Sequence, residues 1–198
     1  MNDPRQMDLA RQLLRKLNAA AACVTDESRQ VAQLRVLYDL AQGSAPALSR
    51  FHYSPGHFTA SALVLSPDRA QLLLIRHKKL KLWLQPGGHI EATDPTIALA
   101  ALRELKEETQ AHDIEVQDAL YDVDIHTIPA WKETPEHQHF DLRVLFVAGS
   151  SAIQAGEEVH EARWFSLEKL AWGSGPLSKN TETDESVRRV ARQLLNSG

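Results

Sequence analysis

Between Ile97 and Glu108 the chain does two things that conflict. Ile97, Ala101, Leu102 and Leu105 recur at helical spacing and outline one apolar face of a helix over about 96–109. The shoulder beside that face gathers Glu104, Glu107 and Glu108 next to Arg103. Like charges one turn apart destabilise a helix by roughly 0.2–0.5 kcal/mol per pair. These also fall at the C-terminal end, where negative charge is disfavoured. A divalent cation would remove the conflict, and oxygen ligands at one-turn spacing suit Mg²⁺ or Mn²⁺, especially when a substrate phosphate completes the shell. A solvated acidic face is the other reading. The context favours the metal, because Gly87 and Gly88 follow Trp-Leu-Gln-Pro and put bare backbone beside the site. The carbonyl of Gly87 could then approach a cation closely.

The rest of the chain supplies the frame for that helix. Ala10, Leu13, Leu14, Leu17, Ala20, Ala21 and Val24 repeat at helical spacing, and so do Val31, Leu34, Leu37, Tyr38 and Ala41. Asp26 is a candidate N-cap for the second helix, Gly43 ends it, and residues 1–45 read as a helical hairpin. After Pro55-Gly56 the pattern turns β-rich. The runs "HFTASALVLS" and "AQLLLIRHK", joined by "SPDR", predict a hairpin. Beyond the helix, "EVQDALYDVDIHTI", "HFDLRVLFVAG" and "EEVHEARWFS" predict further strands. "SLEKLAW" predicts a short helix, and a capped helix from about Asp184 to Leu195 closes the chain. Strands around one long helix, flanked by more helices, predict an α+β fold with a layered mixed sheet.

Composition narrows the class of protein. The chain has 198 residues, 43% of them hydrophobic, which suits one compact domain with a small appendage. A net charge of −4 gives no pull toward nucleic acid or an anionic membrane surface. The single cysteine, Cys23, excludes disulfide scaffolds within the chain and cysteine-based zinc sites, and is expected to be a small buried apolar residue. With no signal-like segment and no membrane-length apolar run, the expectation is a soluble cytoplasmic protein. The sequence leaves a homodimer open.

The stretch "GGHIEATDPTIALAALRELKEETQA" resembles the Nudix box, G-x5-E-x7-R-E-U-x-E-E-x-G-U with U aliphatic. Gly88 matches its first glycine, and Arg103, Glu104, Leu105, Glu107 and Glu108 match the R-E-U-x-E-E core. "LWLQPGGHIE" and "EARWFSLEKL" extend the likeness over most of 55–172. Asp94 stands where the pattern has Glu, the loop from it to Arg103 is one residue longer, Gln110 replaces the closing glycine and Ala111 the last aliphatic. Gln in a left-handed cap costs about 1–2 kcal/mol, so the helix is expected to run on toward Asp113 instead.

The resemblance implies an α/β/α sandwich over 46–198, with 1–45 as an N-terminal extension. It implies a hydrolase that cleaves a pyrophosphate linkage in a nucleoside diphosphate joined to another moiety, by attack of water on phosphorus. It makes Glu104, Glu107, Glu108 and the Gly87 carbonyl the Mg²⁺ or Mn²⁺ ligands, with Glu107 or another glutamate as base and Arg103 holding Glu104. Glu158, shortly before Trp164, is the expected further ligand. A nucleotide sensor without turnover is the alternative, and an interaction module built on 1–45 a second.

The remaining candidates concern substrate. His137, His139 and Asp141 share one strand face at period two. That face reads as a cleft lining, a solvated strand, or a His-x-His metal site. His89 follows the double glycine and could touch a phosphate, against an exposed loop histidine. Arg76 or Lys78 could bind a terminal phosphate, against edge charges that block aggregation. Trp131 could stack a base or cover the core.

Overall fold

The computed structural model describes residues 3–21, 28–78, 80–157, 159–173 and 182–196. The expected roles of Asp26 and Cys23 lie outside these residues. The chain opens with α1 (Pro4–Ala21) and α2 (Ser28–Gln42), which pack on each other. Pro4 occupies the first helical position, where its missing N–H costs nothing, and Asp3 ahead of it accepts the N–H of Arg5 at 2.9 Å. Gln6, buried, ties the two helices by donating to the carbonyls of Gly43 and Ala45.

Strands β1 (Gly56–Leu65), β2 (Gln71–His77), β3 (Trp83–Leu84), β4 (Gly87–His89), β5 (Ile114–Ile128), β6 (His137–Ala148) and β7 (Val159–Ser166) form one seven-stranded sheet. Its main path is β3-β2-β1-β6-β5, with β4 paired to β1 and β7 to β2. The fold is α+β with a mixed sheet, as the element pattern predicts. The predicted hairpin is there: β1 and β2 run antiparallel with Leu65 opposite Leu72, and Ser66 and Asp68 close its turn. Every residue of β1 is buried. β3 and β4 have only two and three residues, too short to leave a periodic trace in the sequence.

Three further helices complete the order: α3 (Ile97–Thr109), α4 (Leu167–Trp172) and α5 (Glu185–Asn196). Ser166 caps α4, Asp184 caps α5 through the N–H of Val187 at 2.9 Å, and the two helices pack together. No helix among the described residues is long and apolar enough to cross a membrane.

Contacts cluster into two compact units. One comprises Met1–Ala60, Gly88–Ala100 and Leu120–Arg143. Its buried apolar residues include Leu9, Leu13, Leu34, Leu37, Phe58, Phe140 and Leu142. The other comprises Ser61–Gly87, Ala101–Ala119 and Val144–Gly198, with Leu72 to Ile75, Ala101, Leu105, Phe146, Leu170 and Val190 buried.

Candidate active site

In the second unit the carboxylate end of α3 is built as follows. α3 starts where Thr96 accepts the N–H of Leu99, and it buries Ile97, Ala100, Ala101 and Leu105. Leu102, expected on that face, is only half-buried, because the buried face turns toward Ala100. Arg103 lies between two of the glutamates. Its Nη1 donates to Glu104 Oε1 at 2.9 Å and to Glu107 Oε2 at 3.1 Å. One guanidinium thus offsets part of the like-charge repulsion and fixes both carboxylates. Glu107 remains exposed, whereas Glu108 is buried and its Oε2 accepts the N–H of Gly87 at 3.0 Å. Gly87 and Glu108 therefore meet, through the glycine's N–H.

The end of the helix corrects an expectation. α3 does not continue toward Asp113. It stops at Thr109, and Gln110 takes a left-handed φ of 50°. The cost of that conformation is met by backbone partners. Gln110 N–H donates to Lys106 O, and a distant loop returns to cover the last carbonyls. Gln154 N–H donates to Thr109 O at 2.9 Å and Gly156 N–H to Glu108 O at 2.8 Å. Gly156 lies so close that a Cβ there would sit 2.0 Å from Glu107 O. Gly156→Ala should therefore push the loop off the helix end. The expected loss is about 1–3 kcal/mol, with a lower Tm and reduced turnover. An unchanged melting curve would mean that the loop gives way freely.

The other predicted residues of this unit are placed as follows. Glu158 lies outside the described residues. Arg76 is on β2, opposite Trp83 and at the irregularity where pairing with β7 shifts between Ile75 and His77. It is half-buried, and its Nε finds no partner among the described groups. Bulges of this kind commonly re-aim side chains beside functional sites. Lys78 Nζ donates to the Glu157 carbonyl.

The first unit holds the remaining candidates. Trp131 is 71% exposed, so it does not cover the core. Asp94 is buried and closes its own loop, its carboxylate accepting the N–H of Glu91 at 2.8 Å. His137 and Asp141 are buried, so "HQHFD" is not a solvated strand face. Asp141 accepts from Thr59 at 3.0 Å and from Arg143 Nε at 2.9 Å. Arg143, itself 1% exposed, also pairs with Asp122 at 3.3 Å and Asp124 at 3.7 Å.

His137, His139 and His89 come together around a histidine that the sequence reading missed, His57. Its ring centroid lies 5.1 Å from that of His89, 5.0 Å from that of His137 and 4.7 Å from that of His139. Burial first, then the neighbouring histidines, pushes His139 down to about 2. Burial and the charge of Arg50 push His89 down to about 4, and burial also lowers His57. These are neutral imidazoles at ordinary pH. The available signal was two polar stripes at period two, Asp122-Asp124-His126 and His137-His139-Asp141-Arg143, on strands that are neighbours in the sheet.

The chain belongs to the Nudix family and is a Nudix-type pyrophosphohydrolase: the family model for the NUDIX domain matches residues 56–190. Nudix hydrolases generally use divalent metals. Among solved structures it is similar to a NUDIX-family hydrolase from Clostridium perfringens, at 26% identity and a TM-score of 0.52, over 71% of this chain and 97% of that one. The Escherichia coli dihydroneopterin triphosphate pyrophosphohydrolase shares the fold at 14% identity and a TM-score of 0.54, over 71% and 96% of the two chains. No curated protein matches the sequence.

Proposed function

We propose that the chain uses Mg²⁺ or Mn²⁺ to hydrolyse a pyrophosphate linkage in a nucleoside diphosphate joined to another moiety, with water attacking phosphorus. The observation that carries this reading is the Arg103 clamp on Glu104 and Glu107 beside the Gly87–Glu108 contact. Three carboxylates within two helical turns, backed by a backbone glycine, are a donor set for a hard dication. Glu104, Glu107, Glu108 and the Gly87 carbonyl would hold it, with Glu158 as a further ligand. The metal polarises the phosphate and acidifies bound water when present. The chain's own part is orientation and proton transfer. Arg103 holds both Glu104 and Glu107, and the more exposed Glu107, as a further ligand or as the base, would take a proton from water. Arg76 would receive a terminal phosphate oxygen through its guanidinium.

A panel of nucleoside triphosphates, nucleotide sugars, dinucleoside polyphosphates and ADP-ribose, with products identified, tests the reading. Turnover with Mg²⁺ or Mn²⁺ that yields a nucleoside monophosphate or diphosphate supports it. Tight nucleotide binding with no turnover would instead establish the sensor.

We also infer that 1–45 is an extension which braces a hydrolase domain over 46–198. Arg5 supports this: its Nη1 donates to the carbonyls of Glu91 at 2.7 Å and Asp94 at 3.0 Å, in the loop before α3. Deleting 1–45 should lower Tm and turnover together. Full activity and stability after the deletion would make the hairpin an independent module.

A further inference from the structure

We propose that His57, His137 and His139 form a site of their own for a transition-metal dication of borderline softness, Zn²⁺ first, with ligand chemistry distinct from that of the carboxylate helix.

The geometry comes first. One ring nitrogen from each of the three histidines lies within 4.8 Å of the other two. Zn–N bonds of about 2.0–2.1 Å in a tetrahedral site put ligand nitrogens roughly 3.3 Å apart. The widest pair therefore has to close by at most about 1.5 Å on binding. His57 and His137 are buried on their strands and His139 is half-buried between them, with ring centroids 4.7 and 5.2 Å from theirs.

The second observation is the state of the nitrogens. His57 is 1% exposed, and its Nε2 is buried with no hydrogen-bond partner among the described groups. Leaving such a group unsatisfied costs about 1–3 kcal/mol. Its Nδ1 lies 3.2 Å from the carbonyl of His52, and a carbonyl can only accept, so Nδ1 carries the proton. In the neutral ring the lone pair is then on Nε2, the orphaned atom. His137 repeats the arrangement, with Nδ1 2.8 Å from the carbonyl of Pro135. A backbone carbonyl that fixes one ring nitrogen and leaves the lone pair on the other is the usual support of a metal-binding histidine.

Charge and softness agree with this. Asp141 lies on β6 with His137 and His139, and together with Asp122 and Asp124 on the adjacent β5 it surrounds Arg143. Asp124 also lies 3.4 Å from His126 Nδ1, whose ring is 5.5 Å from that of His139. Carboxylates on the strand that carries two of the ligands and on its neighbour favour an incoming dication. Imidazole nitrogen favours Zn²⁺, Co²⁺ and Ni²⁺ over Mg²⁺, so millimolar Mg²⁺ would leave this site open to them. Three histidines leave a fourth position for water or for a ligand oxygen, as in zinc sites that react rather than merely hold structure.

The test uses the full chain, stripped of metal and held in millimolar Mg²⁺. Titration with Co²⁺ should give one equivalent of binding with visible absorption bands of a low-coordinate nitrogen site, and one equivalent of Zn²⁺ should remove them. His139→Ala, at the half-exposed member, should weaken Co²⁺ binding by about 100-fold or more while the protein still unfolds cooperatively. His57→Ala should do the same if it folds. Glu104→Gln with Glu108→Gln should leave the bands intact, which separates this site from the hydrolytic one. The proposal is overturned if no stoichiometric band forms, if His139→Ala binds Co²⁺ like the parent, or if the glutamate variant loses the band.

Discussion

Glu107→Gln, and equally Glu104→Gln, should lower kcat by about 10²–10⁴ with little loss of folded protein. Gln keeps the size and much of the hydrogen bonding of Glu but removes the charge. The Arg103 clamp makes the two positions interdependent, because one Nη1 serves both carboxylates. Metal binding gives a second readout. A dication that binds only the folded state stabilises it by about 2.7 kcal/mol at a hundred times Kd. For a chain of this size that is a rise in Tm of roughly 5–11 °C. Glu104→Gln with Glu108→Gln should erase most of that rise. Sequence reasoning alone expects the metal-free double variant to be as stable as the parent or slightly more so, since repulsion is relieved. The structure reverses that sign. Arg103 already offsets the charge of Glu104, and Glu108 holds the N–H of Gly87, so both substitutions weaken an existing bond. A small loss of metal-free stability is expected. Near-parent turnover in the single variants, or a full metal shift in the double variant, would remove the carboxylate helix from the site.

The parts of this site legible in the sequence are those that one local segment determines. The periodicity of Ile97, Ala101 and Leu105 lies within one short segment, and α3 forms where it places the helix. The hairpin of β1 and β2 is local in the same sense. What stayed hidden depends on distant partners. Gln110 ends the helix because the N–H groups of Gln154 and Gly156, some forty residues on, satisfy its last carbonyls. The face of "HQHFD" reads as a cleft lining, a solvated strand or a metal site, and "DVDIH" only as part of a strand. Arg143 pairs with Asp141 on its own strand and with Asp122 on the neighbouring one, and the stripes are largely buried. His57 opens an apolar strand and carries no pattern of its own; only the fold brings three other histidines to it.

That buried ion cluster predicts the largest stability effect in the molecule. Arg143 donates from Nε to Asp141 and from Nη1 to Asp122, and it approaches Asp124, with every partner largely shielded from water. The charge environment raises the Arg143 pKa against the cost of burial, so the guanidinium stays charged. Arg143→Met keeps much of the side-chain volume but leaves three carboxylates without their cation. Removing one partner of a buried ion pair typically costs about 3–5 kcal/mol, because the remaining charge is uncompensated. Thermal unfolding in chelator should show a fall of roughly 6–20 °C, at about 2–4 °C per kcal/mol. Two contributions separate by a further step. If uncompensated charge is the cause, adding Asp122→Asn and Asp141→Asn to the Arg143→Met variant should restore part of the loss, since neutral amides tolerate burial better than unpaired carboxylates. If the triple variant is no more stable than Arg143→Met alone, the arginine contributes through packing of its stem and not by holding three aspartates together.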